Sequence, residues 1–311
     1  LKILHIENTA GVPSILTEAM RELGYNAKIL QTWWTYAAYP HDYENYYHGH
    51  SLLEILRRMV KTARIASGFD VVHIHSGLDW KRLDFLLIKF IYRIPTVVHY
   101  HGSDVRLNLA TAYQDFLDAK IVATPDLLRW MPDAIFVPNP IRPFPYSFDT
   151  NSRTTVIHMP TNRKFKGTAL ILDAVEELKK EGLDFDFKLI EGVSHKRAME
   201  ELSKSHILID QVVDEKETGI PGLFGMVSLE AMAMGKAVIC HVDPEMLKYY
   251  PNCPIFNVEV NKEDLKDKIR CLVENLEFTR SLGLKGVQYT RAFHNPTEIA
   301  KRLIEIYEKI L

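Results

Sequence analysis

The stretch Gly222-Leu-Phe-Gly-Met-Val-Ser-Leu-Glu230-Ala-Met-Ala-Met-Gly-Lys-Ala-Val-Ile239 is the segment best suited to holding a ligand. A glycine-punctuated loop leads into a short helix with one Glu, and a further glycine releases the chain into an apolar strand. An α/β protein builds a nucleotide site in this order at the carboxyl edge of a parallel sheet. Gly222 and Gly225 let backbone approach a ligand with amide N–H groups toward it, at the helix start with Met226. Glu230 falls about a turn and a half into the helix, where a carboxylate can accept hydrogen bonds from a ribose diol. The competing reading is a surface Glu beside glycines that only turn the chain.

A second constellation is His158-Met-Pro-Thr-Asn-Arg163-Lys-Phe-Lys166-Gly167-Thr168. Arg163 supplies a fork of donors, Lys166 a point charge, and the glycine opens a helix, a good receptor for a diphosphate. A solvated basic loop is the plainer alternative. A third is Val97-Val-His-Tyr-His101-Gly-Ser-Asp104-Val-Arg106, where a strand ends in polar residues. His101 is either a candidate for chemistry or a structural histidine at a strand end, while Asp104 and Arg106 either position substrate or hold the turn. In the neighbouring run Asp70-Val-Val-His-Ile-His-Ser-Gly77, alternation puts His73 and His75 on one sheet face, with His75 nearer the strand end. No carboxylate or third histidine stands at ligand spacing from them, so a zinc site is not expected. Asn8-Thr-Ala-Gly11-Val-Pro-Ser14 is a βα turn in which Gly11 permits a close backbone approach. It is not G-x-G-x-x-G, and a nicotinamide cofactor gains no support.

These segments need a scaffold that brings strand ends together, and the pattern supplies one. Strands are expected at 2–6, 27–31, 69–74, 95–100, 119–123 and 134–137, then at 154–158, 185–190, 206–211, 236–241 and 254–257. Helical periodicity lies near 14–23, 51–66, 82–92, 168–181, 195–203, 226–234, 262–275, 277–290 and 297–311. Such alternation reads as βαβ units on parallel sheets, an α/β fold. Val137-Pro-Asn-Pro-Ile-Arg-Pro-Phe-Pro145 can hold neither helix nor central strand. It is read as a hinge over 139–152, between Rossmann-like domains 1–142 and 153–292. The last helix places Ile299, Leu303, Ile304, Tyr307, Ile310 and Leu311 on one apolar side that something must cover.

Length and composition agree. At 311 residues, with 47% hydrophobic and 25% charged, two globular domains are expected. With 38 basic and 40 acidic residues the net charge is −2, which gives no global attraction to nucleic acid. Cys240, Cys253 and Cys271 form no ligand spacing, no run is long enough to span a membrane, and a cytoplasmic setting is expected.

The glycine-rich segment resembles the donor signature of retaining glycosyltransferases of the GT-B fold (the family-four, "group 1" type), E-x7-E followed by A-M-A-x-G-x-P-V-I. The resemblance gives Glu230 the nucleotide ribose. It places the first acid, a contact of the transferred sugar, at position 222, where this chain has Gly222. Glu215 or Glu217 could replace it, although an acidic solvated loop is the simpler account. His101 matches the histidine of the family's v-H-G-s-D element, near the reaction centre. Arg163 and Lys166-Gly167 match its R…K-G element on the donor diphosphate, and the loop of Gly11 lies over the phosphates. The resemblance therefore implies two Rossmann-like domains facing across a cleft, with the final helix returning to the first. It implies sugar transfer from a nucleoside-diphosphate donor to a hydroxyl of a glycan or lipid-linked acceptor, with retention and without metal or other cofactor. His101, Arg163 and Lys166 are the expected catalytic residues. Gly11, Arg163, Lys166, Gly222, Gly225, Met226 and Glu230 are expected on the donor, and His75, Asp104 and Arg106 on the acceptor side. A GT-B nucleotide-sugar epimerase and a non-catalytic nucleotide-sugar-binding subunit are the alternatives.

One feature lies outside that set. Trp33-Trp34-Thr-Tyr36-Ala-Ala-Tyr39 precedes a helix at 51–66 on which Arg57, Lys61 and Arg64 share a face. Leu52, Leu56, Met59, Val60 and Ala63 group elsewhere on it. Either 33–66 makes peripheral contact with an anionic membrane, or the helix is a solvated surface element.

Overall fold

The computed structural model describes residues 1–34, 39–47, 50–78, 80–106, 112–150 and 152–311. Tyr36 of the aromatic cluster therefore lies outside the described residues. The chain divides into two compact units: Leu1–Pro140 with His294–Leu311, and Ile141–Phe293.

The first unit holds β1 Lys2–Ile6, β2 Asn26–Gln31, β3 Tyr43–Glu44, β4 Val71–Ile74, β5 Thr96–Tyr100, β6 Ala119–Val122 and β7 Ile135–Phe136. They form one parallel sheet in the order β3-β2-β1-β4-β5-β6-β7. Strand order reverses between β1 and β4, so the loops after those two strands open at a topological switch point. One sheet face carries Leu4, Ile6, Leu30, Val72, Ile74, Val98, Tyr100 and Val122 into an apolar core. The residues between them, pointing the other way, include His5, His73 and His99, all fully buried. Helix Val12–Glu22 and the final helix Pro296–Ile310 belong to this unit. The final helix buries Ile299, Leu303, Ile304 and Tyr307, while Leu311, one residue beyond it, is 62% exposed, against the sequence expectation.

The second unit holds β8 Thr155–His158, β9 Asp186–Leu189, β10 Ile207–Ile209, β11 Ala237–Cys240 and β12 Phe256–Asn257. Their parallel order is β12-β11-β10-β8-β9, with the reversal between β8 and β10. All eleven expected strands are present. Among the described residues only β3 at the sheet edge has no counterpart in the sequence reading, because its two residues lie in the polar run His41-Asp-Tyr-Glu-Asn45, which carries no apolar signal. Val156, Ile207, Ile209, Ala237 and Ile239 meet Ile171, Leu178, Leu265, Ile269 and Leu272 in the core of this unit.

Candidate functional site

In the second unit, the ends of the two switch-point strands bring Lys166 against Asp210. Asn162 caps the single turn Arg163–Lys166, its side chain accepting from Lys164 N and Phe165 N. Gly167 then turns with φ 68°, so close to the chain after β10 that a Cβ would lie 2.0 Å from the Val212 carbonyl oxygen. Only glycine allows that approach. His158 ties the two strands together: its Nδ1–H donates to the Ile209 carbonyl (2.8 Å) and its Nε2 accepts from Thr168 Oγ1 (2.9 Å).

Asp210, the first residue after β10, is 2% exposed. One carboxylate oxygen receives the Lys166 ammonium in a short ion pair. The other accepts from Ser228 Oγ (2.6 Å) and Gly225 N (3.3 Å), at the start of helix Met226–Ala233. Burial works to raise its carboxyl, yet Lys166, Ser228 and Gly225 hold it below the usual carboxylate range. A buried anion thus sits behind the lysine and anchors the glycine-rich helix start to the β8 loop. Asp210 and Ser228 were missed in the sequence, where a lone Asp after an apolar run carries no motif. The N–H of Gly225, expected to face a ligand, is directed instead to Asp210.

Glu230 is 8% exposed, and its Oε1 lies 2.6 Å from His195 Nε2, the first residue of helix His195–Ser203. That carboxylate raises the His195 pKa, with burial opposing. His195 was also unforeseen, since no spacing marked it. Arg163 is largely exposed and forms a fork with Glu191, with Nε 2.8 Å from Oε1. Gly222 is closed off: its N–H donates to Asp243 Oδ2 (2.9 Å), and a Cβ would lie 2.4 Å from the His241 ring. No side chain of any kind fits there without displacing that ring. Glu217 is exposed and Glu215 half-buried on the turn Glu215–Thr218.

In the first unit, the turn after β5 is held from within. Asp104 Oδ1 accepts from Gly102 N (2.7 Å) and Val105 N (3.2 Å); its Oδ2 accepts from His101 N and Gly77 N, each at 3.1 Å. Arg106 donates to both oxygens of fully buried Asp126 and to Thr124 Oγ1. Of the two roles open to Asp104 and Arg106, the internal one accounts for these polar contacts. Gly11 has φ 73°, and its close approach is to the Tyr39 ring, 2.9 Å from a Cβ position.

The expectation that no third histidine accompanies His73 and His75 is corrected. Parallel pairing sets His5 beside His73, and the alternation of β4 and β5 continues to His75, His99 and His101 on the same face. Sequence spacing along a single strand cannot show this, because the partners come from other strands. His5/His73/His75 and His75/His99/His101 each gather three ring nitrogens within 4.8 Å of one another. Within each cluster, however, a pair of rings is stacked, at 26° for His73–His75 and 25° for His99–His101, while His5 is tilted by 38° to His73 and 36° to His75. Lone pairs lie in the ring planes, so nearly parallel rings do not aim at one ion as they stand. Two nitrogen–nitrogen hydrogen bonds connect them instead: His5 Nδ1 to His75 Nε2 (2.8 Å) and His75 Nδ1 to His101 Nε2 (3.2 Å).

Sequence reading also missed Glu7, at the switch point after β1. It has φ 69° and is 4% exposed. Its carboxyl accepts from Thr32 Oγ1, Gln31 Nε2 (3.0 Å) and Trp33 N (3.3 Å). Burial raises its pKa to about 7, with the Arg82 guanidinium and these donors opposing.

On helix Leu52–Ala66 the buried side is Met59, Thr62, Ala63 and Ala66. Leu52, Leu53, Leu56 and Val60 are exposed, as are Trp33 and Trp34. The apolar grouping read from the sequence is thus divided between core and surface. Among the described residues, no helix is long and apolar enough to cross a membrane.

No family model matches the chain. An uncharacterized glycosyltransferase of Methanocaldococcus jannaschii is 23% identical over 268 residues, covering 73% of this chain and 72% of that protein. Anabaena HepE in complex with UDP-glucose superposes with a TM-score of 0.71 at 14% identity, over 99% of both chains. Sucrose-phosphate synthase of Thermosynechococcus elongatus gives 0.68 at 14% identity, over 100% of this chain and 99% of that one. With its two parallel Rossmann-like sheets, the chain has the GT-B fold of these structures and resembles glycosyltransferases in sequence.

Proposed function

We propose that the chain is a glycosyltransferase that takes its sugar from a nucleoside-diphosphate donor held by the second unit. The observation that carries this reading is the Lys166–Asp210–Ser228 cluster at the switch point of β8 and β10, beside the start of the helix that bears Glu230. An open α/β sheet binds ligands at such a point. An ammonium has three donors, and among the described residues Asp210 takes one of those of Lys166, leaving two for phosphate oxygens. Arg163, exposed and held by Glu191, adds a second cation with bidentate geometry. Glu230 accepts the ribose hydroxyls, with His195 as the partner that orients or yields its carboxylate.

In this reading the departing diphosphate is stabilised by Lys166 and Arg163 rather than by a metal ion. Retention follows if the acceptor hydroxyl attacks from the leaving-group face, its proton passing to the departing phosphate. Atoms balance: the anomeric carbon–phosphate oxygen bond breaks, the carbon–acceptor oxygen bond forms, and the phosphate carries off the proton. The acceptor is a hydroxyl of a glycan or of a lipid-linked saccharide. The exposed apolar strip of helix Leu52–Ala66, with Arg57, Lys61 and Arg64 on the same element, supports peripheral contact with an anionic membrane that carries such an acceptor.

Turnover of nucleoside-diphosphate sugars against acceptor panels, with anomeric configuration read by NMR and with chelator present or absent, tests this directly. Release of an inverted product, or loss of turnover on chelation, refutes the corresponding part. A second reading, a nucleotide-sugar-binding subunit without turnover, is favoured by one observation: His241 and Asp243 leave no room at position 222 for an acid. Tight donor binding without transfer to any acceptor supports that alternative.

A further inference from the structure

The histidine chain His5–His75–His101 has a direction, and a buried thioether sets it. His5 Nε2 lies 3.4 Å from Met20 Sδ. A thioether sulfur can accept a hydrogen bond but has no proton to give. Two lone pairs facing each other in a fully buried site repel, so His5 Nε2 carries the proton and donates to the sulfur. A neutral imidazole has one N–H, and its Nδ1 must then accept. The donor to it, 2.8 Å away, is His75 Nε2–H. His75 Nδ1 in turn accepts, and its donor at 3.2 Å is His101 Nε2–H. His101 Nδ1 is left as a lone pair with no partner among the described residues, on a ring that is only partly buried. The rings are neutral, since burial holds His5 at about 3 and His101 at about 4.

We propose that Met20, His5 and His75 are positioning residues that lock His101 as its Nε2–H tautomer and present Nδ1 as an acceptor for a substrate hydroxyl. The use of that acceptor on a sugar hydroxyl rests on the glycosyltransferase reading above; the tautomer lock does not. The arrangement makes His101 a neutral hydrogen-bond acceptor rather than a proton donor. The turn that aims it is fixed separately, by Asp104 accepting from His101 N and Gly77 N. The stacking of His101 on His99, with ring centroids 4.5 Å apart, resists rotation of the ring out of the chain.

Long-range proton–nitrogen correlation spectra of the full chain, labelled with nitrogen-15 histidine, distinguish protonated from bare ring nitrogens at each residue. The expected result is Nε2–H with bare Nδ1 at His5, His75 and His101, without any substrate present. A protonated Nδ1 at any of the three overturns the lock, whatever the enzyme does. The second arm measures kcat/KM for wild type and His75→Phe over singly deoxygenated substrates, donors and acceptors alike. His75→Phe is expected to lower it about tenfold with the parent substrates, the loss of one well-aimed hydrogen bond. With the one deoxy substrate that lacks the hydroxyl read by His101, the same replacement is expected to change little. An equal fall for every substrate assigns His75 a merely structural part and overturns its use in positioning. Because the spectra need no turnover, failure of the lock and failure of the transferase reading remain distinguishable.

Discussion

Glu7 offers a quantitative test of how the first unit is held. Its carboxyl is buried at the switch point after β1, and burial raises it from an ordinary 4.5 to about 7. A raised acid binds its proton more tightly in the folded state. Below about pH 4.5 both states are protonated and nothing is lost; between 4.5 and about 7 the unfolded chain ionises first, and folding becomes less favourable. The full difference corresponds to about 3 kcal/mol, at about 1.4 kcal/mol per unit. Glu7→Gln keeps the shape and one oxygen acceptor but cannot ionise. All four tryptophans, Trp33, Trp34, Trp80 and Trp130, fall in this unit, so urea melts followed by tryptophan fluorescence report it alone. The buried histidines titrate in an overlapping range with the opposite sign, so the quantity to compare is wild type minus variant at each pH. Expected is a difference that moves by about 3 kcal/mol in favour of Glu7→Gln between pH 4.5 and 8 and is flat above. A difference independent of pH refutes a Glu7 carboxyl raised by burial.

Other consequences follow from the same geometry. Lys166→Ala strands the Asp210 carboxylate in the core, which is expected to destabilise the second unit by about 3 kcal/mol and lower turnover about a hundredfold. In Lys166→Ala/Asp210→Asn, stability measured by chemical denaturation should recover while donor affinity does not; joint recovery would show that Lys166 serves the fold alone. Gly222→Ala pushes a Cβ onto the His241 ring and should cost about 1–3 kcal/mol in thermal unfolding, whereas an unchanged Tm means the ring moves freely. Buried His5, His73, His75 and His99 and partly buried His101 all have lowered pKa values, so their contribution is complete above about pH 6.5 and is lost as the pH falls. Acid melts followed by tryptophan fluorescence should show the first unit unfolding cooperatively with uptake of several protons, and uptake of one or none contradicts the neutral stack. Replacing Arg57 and Lys61 together by Glu should abolish co-sedimentation with anionic liposomes; unchanged binding excludes helix Leu52–Ala66 as the contact.

Much of this architecture is legible in the chain because strands in parallel sheets are buried on both faces and read as apolar runs. Every such run became a strand, and Lys2–Ile6 and Ala237–Cys240 show how plainly. Gly167 was legible as a glycine that opens a helix, and it caps helix Thr168–Lys180; that no Cβ fits there against Val212 was not legible. What stayed hidden depends on neighbours distant in sequence. Asp210 takes its meaning from Lys166, Ser228 and Gly225, and His195 from Glu230. The five imidazoles gather only when β1, β4 and β5 pair in register, which spacing within one strand cannot show. Asp104 and Arg106 were singled out by their polar chemistry, and their internal partners, backbone amides and Asp126, are invisible in one dimension.

Calorimetric titration shows whether the second unit holds a nucleoside-diphosphate sugar through Lys166 and Glu230. Wild type, Lys166→Ala/Asp210→Asn and Glu230→Ala would each be titrated with a panel of nucleoside-diphosphate sugars, with and without chelator. One preferred donor is expected, bound equally well in chelator, with affinity reduced at least tenfold in each variant. Binding of that donor undiminished in both variants, or of none of the panel by wild type, contradicts it.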